Sequence, residues 1–230
     1  MRGSFIYAGN LNFDKRNNTY EYSCNFNSKY FDIGLYDKFN IKCPIEIQRS
    51  SLLRQAEYLA GRYSAKQVLT ALHQNNQDVG RNSNRSPIWP GSITGSISHT
   101  SKIALSCAAD ISLVKKIGVD IEPWFSETVS EEIKHEILSA REIDVASKIE
   151  MPFTKILTLC FSAKESIYKA LGRLNEHVSN FKQLELKSIS LNNKTIEFKL
   201  IDDIANNSEE YFLCDFVLEG EYTITRYYLK

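Results

Sequence analysis

Two pairs of charged residues are spaced so that their side chains could act together at one site. Asp120 and Glu122 stand two residues apart in a run of Val and Ile residues, which predicts a strand that points both carboxylates to one face. Glu165 and Lys169 are four residues apart in a segment with helical periodicity, so they lie one turn apart on the same side. We therefore expect that three carboxylates and one ammonium group can converge.

Such a convergence suits a divalent cation. Mg²⁺ binds a few oxygen ligands and keeps positions open for water and substrate phosphates, so two or three carboxylates beside a lysine suit pyrophosphate chemistry. The spacing alone leaves a second interpretation open. The acids could be a solvated pair at a strand end, beside a helix that carries an ordinary surface ion pair.

Two predicted elements must position these side chains. The segment from Val114 to Ile121 has the β-branched composition of a strand. After Pro152, apolar residues recur three or four apart and predict a helix; they are Phe153, Ile156, Leu157, Cys160, Phe161, Ile167, Tyr168 and Leu171. Another helix is predicted over 133–149.

A second set of candidates lies on a long helix predicted from Pro44 to about His73. Arg54 and Arg62 are eight residues apart on it, roughly 80° apart around the helix and about 12 Å apart along its axis. Residues so placed could hold phosphate groups at two points. They could equally be solvated residues of an exposed helix face.

Basic and hydroxyl side chains follow in a turn-rich segment. Arg81 and Arg85 precede a run of small residues that contains Ser98 and His99. A histidine and a serine near a glycine suit an anion, since all of them offer hydrogen-bond donors. A hydrogen-bonded core histidine is the alternative interpretation for His99.

Composition narrows the class of protein. The 230 residues are 43% hydrophobic and 24% charged, which is typical of a globular protein with a sizeable core. Lys plus Arg and Asp plus Glu both number 28, so no basic excess favours nucleic-acid binding. The five cysteines are scattered without a C-x-x-C pair, which argues against disulfides and zinc and predicts a reducing, cytoplasmic location. We also expect no signal peptide and no membrane span.

The order of predicted elements indicates an α+β fold. Short strands are predicted near the start, over 5–8, 20–24 and 30–36, followed by the helices described above. Four further strands are predicted over 184–191, 195–201, 211–218 and 222–228, with tight turns at 192–193 and 219–220. Helices that precede a meander of strands are typical of α+β architecture.

In combination, these segments resemble the Sfp-type 4′-phosphopantetheinyl transferases, within them the subgroup similar to enterobactin synthase component D. Four blocks carry the resemblance in the order of the family: Arg54 to Arg62, Trp89 to Thr100, Gly118 to Glu122, and Phe161 to Ala170. The resemblance implies two similar α+β halves related by a pseudo-twofold axis, with coenzyme A in the cleft between them. For this chain the halves would be residues 1–113 and 114–230, and the pseudo-dimeric chain would be a monomer.

The resemblance also implies a reaction. Such enzymes transfer the phosphopantetheine arm of coenzyme A to a serine of an apo acyl, peptidyl or aryl carrier protein. They need Mg²⁺ and release adenosine 3′,5′-bisphosphate. The subgroup implies siderophore or other non-ribosomal peptide biosynthesis, while activation of a fatty-acid carrier stays open.

By the same resemblance, the candidate residues take roles. Asp120 and Glu122 would hold the metal, and Glu165 would be a third ligand or the base that takes the serine proton, directly or through one water. Phosphate charge would be neutralised by Lys164 and Lys169. The nucleotide-side phosphates would be bound by Arg54, Arg62, Arg85, Ser98 and His99, with Arg81 as an alternative to Arg85.

Two further expectations concern partners and rival functions. An acidic carrier with an apolar helix face needs a receptor surface of exposed apolar and basic groups, for which Trp124, Phe125 and the helix near Ile133 are the candidates. The alternative interpretation is that these residues belong to the core. The rival functions are a Mg²⁺-dependent phosphodiesterase or nucleotide hydrolase, which would use water as the nucleophile, and a non-catalytic coenzyme A binding module.

Overall fold

The fold is described from a computed structural model, which covers residues 3–171, 181–201 and 210–230. The chain divides into two compact units. The first consists of residues 1–117 together with 229–230, and the second of residues 118–228. Both units contain helices and an antiparallel sheet, so the α+β prediction is confirmed.

The first unit is built on a four-stranded antiparallel sheet with the order β1-β2-β6-β5. Its strands are β1 (Ile6–Asp14), β2 (Thr19–Phe26), β5 (Ile93–His99) and β6 (Ile103–Asp110), and a separate two-stranded ribbon is formed by β3 (Gly80–Arg81) and β4 (Pro87–Ile88). The helices are α1 (Leu35–Phe39), α2 (Ile45–Gln48) and α3 (Leu52–Ala71). The long helix α3 packs across β2, β5 and β6.

Helix α3 lies closest to the sheet at Gly61. A Cβ added there would be 3.2 Å from the side chain of Ile97, and the Ser64 hydroxyl lies 2.6 Å from that of Ser106 in the same region. Small residues at these positions therefore allow the helix to approach β5 and β6. This approach places the first turn of α3 beside the end of β5.

Two predictions in this unit are wrong in detail. The segment 30–36 was predicted as a strand, yet the structure has a 3₁₀ turn over Ser28–Tyr30 and then α1. Side-chain bonds favour these turns, because Asn27 accepts from the Lys29 amide and Asp32 accepts from the Gly34 amide. The helix predicted from residue 44 is divided into α2 and α3, since the hydroxyl of Ser51 caps a new helix by accepting from the Arg54 amide.

The second unit has a five-stranded sheet with the order β7-β11-β10-β9-β8. Its strands are β7 (Lys116–Pro123), β8 (Leu184–Ser190), β9 (Thr195–Leu200), β10 (Tyr211–Leu218) and β11 (Tyr222–Leu229). Its helices are α4 (Glu127–Ile137), α5 (Ala140–Ser147) and α6 (Phe153–Leu171). The four late strands and the helix α6 confirm the sequence prediction, whereas the single helix predicted over 133–149 is two helices.

The break between α4 and α5 has a local cause. The Ser139 hydroxyl accepts from the Glu142 amide, and the Glu142 carboxylate accepts from the Ser139 amide. This capping box starts a new helix. Its signature, a serine followed three residues later by a glutamate, was readable in the sequence.

Helix α6 contributes seven of the eighteen buried residues in the core of the second unit and lies unusually close to β7. A Cβ added at Gly118 would be 1.7 Å from the carbonyl oxygen of Ser166, so only glycine permits this approach. The hydroxyls of Ser162 and Ser166 both contact the Thr225 hydroxyl of β11, at 2.9 and 2.7 Å. These short side chains keep α6 against the sheet without an unpaired polar group.

Across the ranges 3–171, 181–201 and 210–230, none of the helices combines the length and the apolar composition that crossing a membrane requires.

Candidate functional site

An acidic site in the second unit follows from the alternation of side chains along β7. Gly118, Asp120 and Glu122 share one face of the strand, and α6 covers that face at Gly118. Lys169 of α6 donates from Nζ to Asp120 Oδ1 at 2.5 Å and to the carbonyl of Val119 at 3.3 Å. The Asp120 side chain is 3% exposed and that of Lys169 is 27% exposed, so the ion pair is open to solvent from the lysine side.

Glu122 and Glu165 both lie near enough to Asp120 and Lys169 for these charges to shift their pKa values. The pKa of Glu122 is raised to about 8, mainly by burial and also by the charges of Asp120 and Glu165, while Lys169 acts to lower it. Burial also raises the pKa of Glu165, where Lys169 acts to lower it and Asp120 to raise it. The structure therefore brings together the four residues that the sequence singled out.

The chemistry of these donors fits Mg²⁺. Three of them, Asp120, Glu122 and Glu165, offer carboxylate oxygens, and a divalent cation would relieve the repulsion that adds to burial in raising the pKa of Glu122. Within the described part of the chain, no three His, Cys, Asp or Glu side chains form a ready-made metal cluster. Asp120, Glu122 and Glu165, predicted from the sequence as three metal ligands, are therefore not gathered as a formed cluster in this structure.

Lys164 corrects one prediction. Its side chain is 0% exposed, and its Nζ donates to Glu142 Oε1 and to the carbonyl of Ile137, both at 2.8 Å. Burial lowers the pKa of Lys164, and Glu142 acts to raise it. An ammonium group so enclosed does not reach a bound phosphate, so Lys164 leaves the predicted set of phosphate ligands. Five residues separate it from Lys169, which places the two about 140° apart around the helix.

A basic site in the first unit forms where α3 meets the end of β5. Arg54 Nη1 lies 2.8 Å from His99 Nε2 and 3.4 Å from Glu57 Oε2, while His99 Nδ1 lies 4.0 Å from the same Glu57 oxygen. Because a guanidinium group only donates, His99 Nε2 must accept in this arrangement. The tautomer that fits this contact carries a proton on Nδ1, toward Glu57.

Arg62 completes the row of cations on α3. Its Nε donates to the Tyr58 hydroxyl at 3.2 Å, its Nη2 donates to the carbonyl of Gly80 at 3.0 Å, and its guanidinium lies 4.7 Å from the centre of the Tyr58 ring. Burial lowers the pKa of Arg62, with the nearby Arg81 and Arg54 as smaller contributions in the same direction. These contacts fix the guanidinium in place before any ligand arrives.

The arginines open into one cavity of about 120 Å³. Its charged lining consists of Arg54, Glu57, Arg62, Arg81, Arg85 and His99. Arg81 and Arg85 also line an adjoining depression of about 690 Å³, which Arg54 borders as well. Both arginines thus face the same space, and four cations against one carboxylate make the small cavity a binding place for an anion.

Ser98 does not join this cavity. Along β5 the side chains alternate, so Ile97 and His99 face α3 whereas Ser98 is buried on the opposite face of the sheet. The prediction that paired Ser98 with His99 at one phosphate therefore needs correction, and the two-residue period of a strand would have separated them. Sequence reasoning also missed Glu57 and Tyr58, although Glu57 follows Arg54 at a helical spacing of three.

The predicted carrier surface has a charge opposite to the expected one. Phe125 packs on Phe161, with ring centres 5.5 Å apart, and its amide donates to the Thr158 hydroxyl, so it belongs to the core. Trp124 is held by bonds from Nε1 to the carbonyls of Glu219 and Gly220. The exposed face of α4 is mainly acidic, since it carries Glu127, Glu131, Glu132 and Glu136. Such a surface repels an acidic partner.

Two family models match the chain. One described as the 4′-phosphopantetheinyl transferase N-terminal domain matches residues 45–109, and one described as the 4′-phosphopantetheinyl transferase superfamily matches residues 116–225. The basic site lies within the first match and the acidic site within the second. Each site thus falls in a segment that the family models describe.

Curated relatives are similar over part of their length. Enterobactin synthase component D of Salmonella typhi is 38% identical over 119 residues, which are 52% of this chain and 49% of that protein. The protein of the same name from Escherichia coli K12 is 34% identical over 126 residues, 54% of this chain and 58% of that protein. The 4′-phosphopantetheinyl transferase Npt of Nocardia iowensis is 23% identical over 175 residues, 76% and 73% of the two chains. The matched segment thus spans about half the length of the first two relatives.

A solved structure shows a more distant likeness. The holo-(acyl-carrier-protein) synthase of Bacillus anthracis, crystallised with coenzyme A (3′,5′-ADP), overlaps 51% of this chain and 98% of its own. The TM-score is 0.35 and the identity 18%, so this likeness carries no weight for the site.

Proposed function

The chain belongs to the 4′-phosphopantetheinyl transferase superfamily, and from this membership we propose that it transfers the phosphopantetheine arm of coenzyme A to a serine of an apo carrier protein. The observation that supports this most is the group of Asp120, Glu122, Glu165 and Lys169, which Gly118 allows to assemble between β7 and α6. A protein that only bound coenzyme A would need no such group of acids.

The reaction needs a base for the serine. A serine hydroxyl is a weak nucleophile, so its oxygen attacks the β-phosphorus efficiently only if a carboxylate takes the proton, directly or through one water. Glu165 is the proposed base, because burial raises its pKa toward the range in which a carboxylate accepts a proton well. The new bond joins the serine oxygen to the β-phosphorus, and the bond to the adenosine 3′,5′-bisphosphate leaving group breaks.

Negative charge on the pyrophosphate must be offset. Asp120 and Glu122 would hold Mg²⁺, which when bound supplies positive charge to the pyrophosphate. Lys169, whose ammonium is partly exposed, is proposed to donate to a phosphate oxygen and so to stabilise the charge on the leaving group. Its bond to Asp120 holds the ammonium in place beforehand.

The basic site of the first unit is proposed to bind the phosphates on the nucleotide side of coenzyme A. Arg54 and Arg62 are oriented by their neighbours, and Arg81 and Arg85 both face the cavity, so each can contribute a charge-assisted bond. An arriving phosphate would compete with His99 for Arg54 and would accept from the freed guanidinium.

The carrier and the compartment are part of the proposal. Siderophore or other non-ribosomal peptide carriers are the proposed partners, because enterobactin synthase component D is the name of the relatives that match at 34 to 38% identity. A reducing, cytoplasmic compartment is supported by the five cysteines, none of which forms a disulfide in the described part of the chain.

Mass spectrometry tests the proposal. A panel of apo carrier domains, peptidyl, aryl and fatty-acid types, is incubated with coenzyme A, MgCl₂ and the protein. We expect the phosphopantetheine mass increment on at least one carrier, its loss when coenzyme A or Mg²⁺ is left out, and its loss with Glu165→Gln but not with the exposed control Glu150→Gln. Release of adenosine 3′,5′-bisphosphate without a carrier would indicate a hydrolase, and binding without turnover would indicate a binding module.

A further inference from the structure

The Lys164–Glu142 ion pair lies outside the proposed chemistry and yet is the most deeply buried charged group described. The two side chains are 0% and 1% exposed, and Nζ lies 2.8 Å from Oε1. Removing two charges from water is expensive, and apolar residues of similar volume often support a fold as well or better. Stability alone therefore does not explain why an ion pair occupies this position.

The pair joins four elements of the second unit. Lys164 Nζ donates to Glu142 Oε1 and to the carbonyl of Ile137, the last residue of α4. Glu142 Oε1 also accepts from the Leu186 amide of β8, at 2.9 Å. Glu142 Oε2 accepts from the Ser139 amide at 2.8 Å, which caps α5. One ion pair thus ties α6 to the end of α4, the start of α5 and the edge strand β8.

Lys164 lies on the same helix as two residues of the acidic site, Glu165 and Lys169. Lys164 immediately precedes Glu165, and Lys169 lies on the far side of the same helix, about 140° away. The bonds of Ser162 and Ser166 to Thr225 hold α6 against the sheet, and those of Lys164 add a restraint toward α4 and α5. A restraint on the rotation of α6 also restrains Glu165 and Lys169 relative to Asp120, which is on β7.

Alignment of this kind matters because proton transfer depends on distance. A displacement of about 1 Å at a reacting group can lower a rate about 10²-fold. Supporting residues that lock the helix are thus as necessary for the site as the groups that touch substrate.

We propose that Lys164 and Glu142 are positioning residues, which fix the rotation and register of α6 and thereby place Glu165 and Lys169 against the carboxylates of β7. The part of this inference that concerns turnover depends on the proposed transferase function. The part that concerns the acidic site itself does not, because placement of the carboxylates also controls their affinity for Mg²⁺.

The test replaces the pair by apolar residues of similar size, Lys164→Met together with Glu142→Leu, so that no buried charge is left unpaired. The control is the double variant Lys148→Gln and Asp144→Asn, which removes an exposed ion pair of 2.7 Å on α5 and the residue after it. The full chain is used throughout. Melting temperature, Mg²⁺ affinity from titration with MgCl₂ alone, and kcat and KM for coenzyme A are measured for both double variants and the wild type.

We expect the apolar double variant to fold with a melting temperature below that of the wild type, because the Leu186 and Ser139 amides and the Ile137 carbonyl lose their partners. Its kcat should fall at least about tenfold and its Mg²⁺ affinity several-fold, while KM for coenzyme A stays within about twofold, because the basic site is untouched. A purely structural pair would change the melting temperature alone. Wild-type values of both kcat and Mg²⁺ affinity in a folded double variant would overturn the proposal.

Glu142→Gln provides a second variant if the double variant does not fold. Glutamine keeps the size of the side chain and an oxygen that accepts from Lys164, but it weakens the bond by removing the charge. We expect a weaker Mg²⁺ affinity and a lower kcat at unchanged KM for coenzyme A; equality with the wild type would contradict the inference. An inactive wild type would refute the transferase function, and the Mg²⁺ titration would still decide the positioning role.

Discussion

Lys164 and Lys169 lie on the same helix and each donates to a carboxylate, yet their surroundings differ. Lys164 meets Glu142 where both side chains are fully enclosed, and its ammonium also donates to the carbonyl of Ile137. Lys169 meets Asp120 where the aspartate side chain is buried but the lysine side chain is 27% exposed. The first pair has no room for a ligand, whereas the second can exchange its partner for one.

The degree of burial therefore distinguishes an ion pair that supports the fold from one that can bind a ligand. In the enclosed pair the charges stabilise each other in a medium of low dielectric, so losing one of them leaves the other without compensation. In the open pair, water or a cation can take the place of a lost partner. The same ion pair thus supports the fold on one side of α6 and is available for chemistry on the other.

The largest expected effect comes from breaking the enclosed pair on one side only. Lys164→Met should lower the free energy of unfolding by about 3–5 kcal/mol, because the Glu142 carboxylate is left buried and unpaired. Denaturation by urea measures this directly. A loss below about 1 kcal/mol, the range of exposed pairs, would remove the distinction between the two lysines.

Breaking the open pair should affect turnover more than folding. Lys169→Met should lower kcat about 10²-fold, or about 2.7 kcal/mol of transition-state stabilisation, because the ammonium no longer offsets charge on the phosphate. The variant should also gain stability when MgCl₂ is added, since a divalent cation replaces the lost positive charge beside Asp120. Kinetics and thermal unfolding with and without MgCl₂ provide the measurements.

Lys164→Met is the matched control for that experiment. Its buried carboxylate is enclosed, so MgCl₂ should leave its loss of stability uncorrected. If Mg²⁺ rescued both variants equally, or neither, the contrast between an open and an enclosed pair would be wrong.

The sequence carried enough information for the open side of α6. Period-two alternation put Asp120 and Glu122 on one face of β7, and the helical spacing of Glu165 and Lys169 put them on one side of α6. Gly118, two residues before Asp120, shows why the elements can meet, since any side chain there would collide with Ser166. Such patterns can be read from a single strand or helix, without knowledge of the elements that pack against it.

The enclosed side could not be predicted in the same way. Whether Lys164 faces solvent or core depends on Ile137 and Glu142, which bind it and lie 27 and 22 residues away along the chain. Local patterns do not encode such contacts, so the family resemblance alone assigned Lys164 to a phosphate. Ser98 and the capping box at Ser139 are different, because the strand period and the cap signature were both readable and were not applied.

The smallest expected effect completes the comparison. Lys148 and Asp144 form an ion pair of 2.7 Å at helical spacing, as short as the enclosed pair, with side chains that are 68% and 67% exposed. Because water solvates both charges before and after the change, Lys148→Gln should lower the free energy of unfolding by only about 0.3–0.5 kcal/mol, and less at high salt. Urea denaturation at two salt concentrations checks this. A loss close to that of Lys164→Met would mean that the length of an ion pair, and not its burial, determines its contribution.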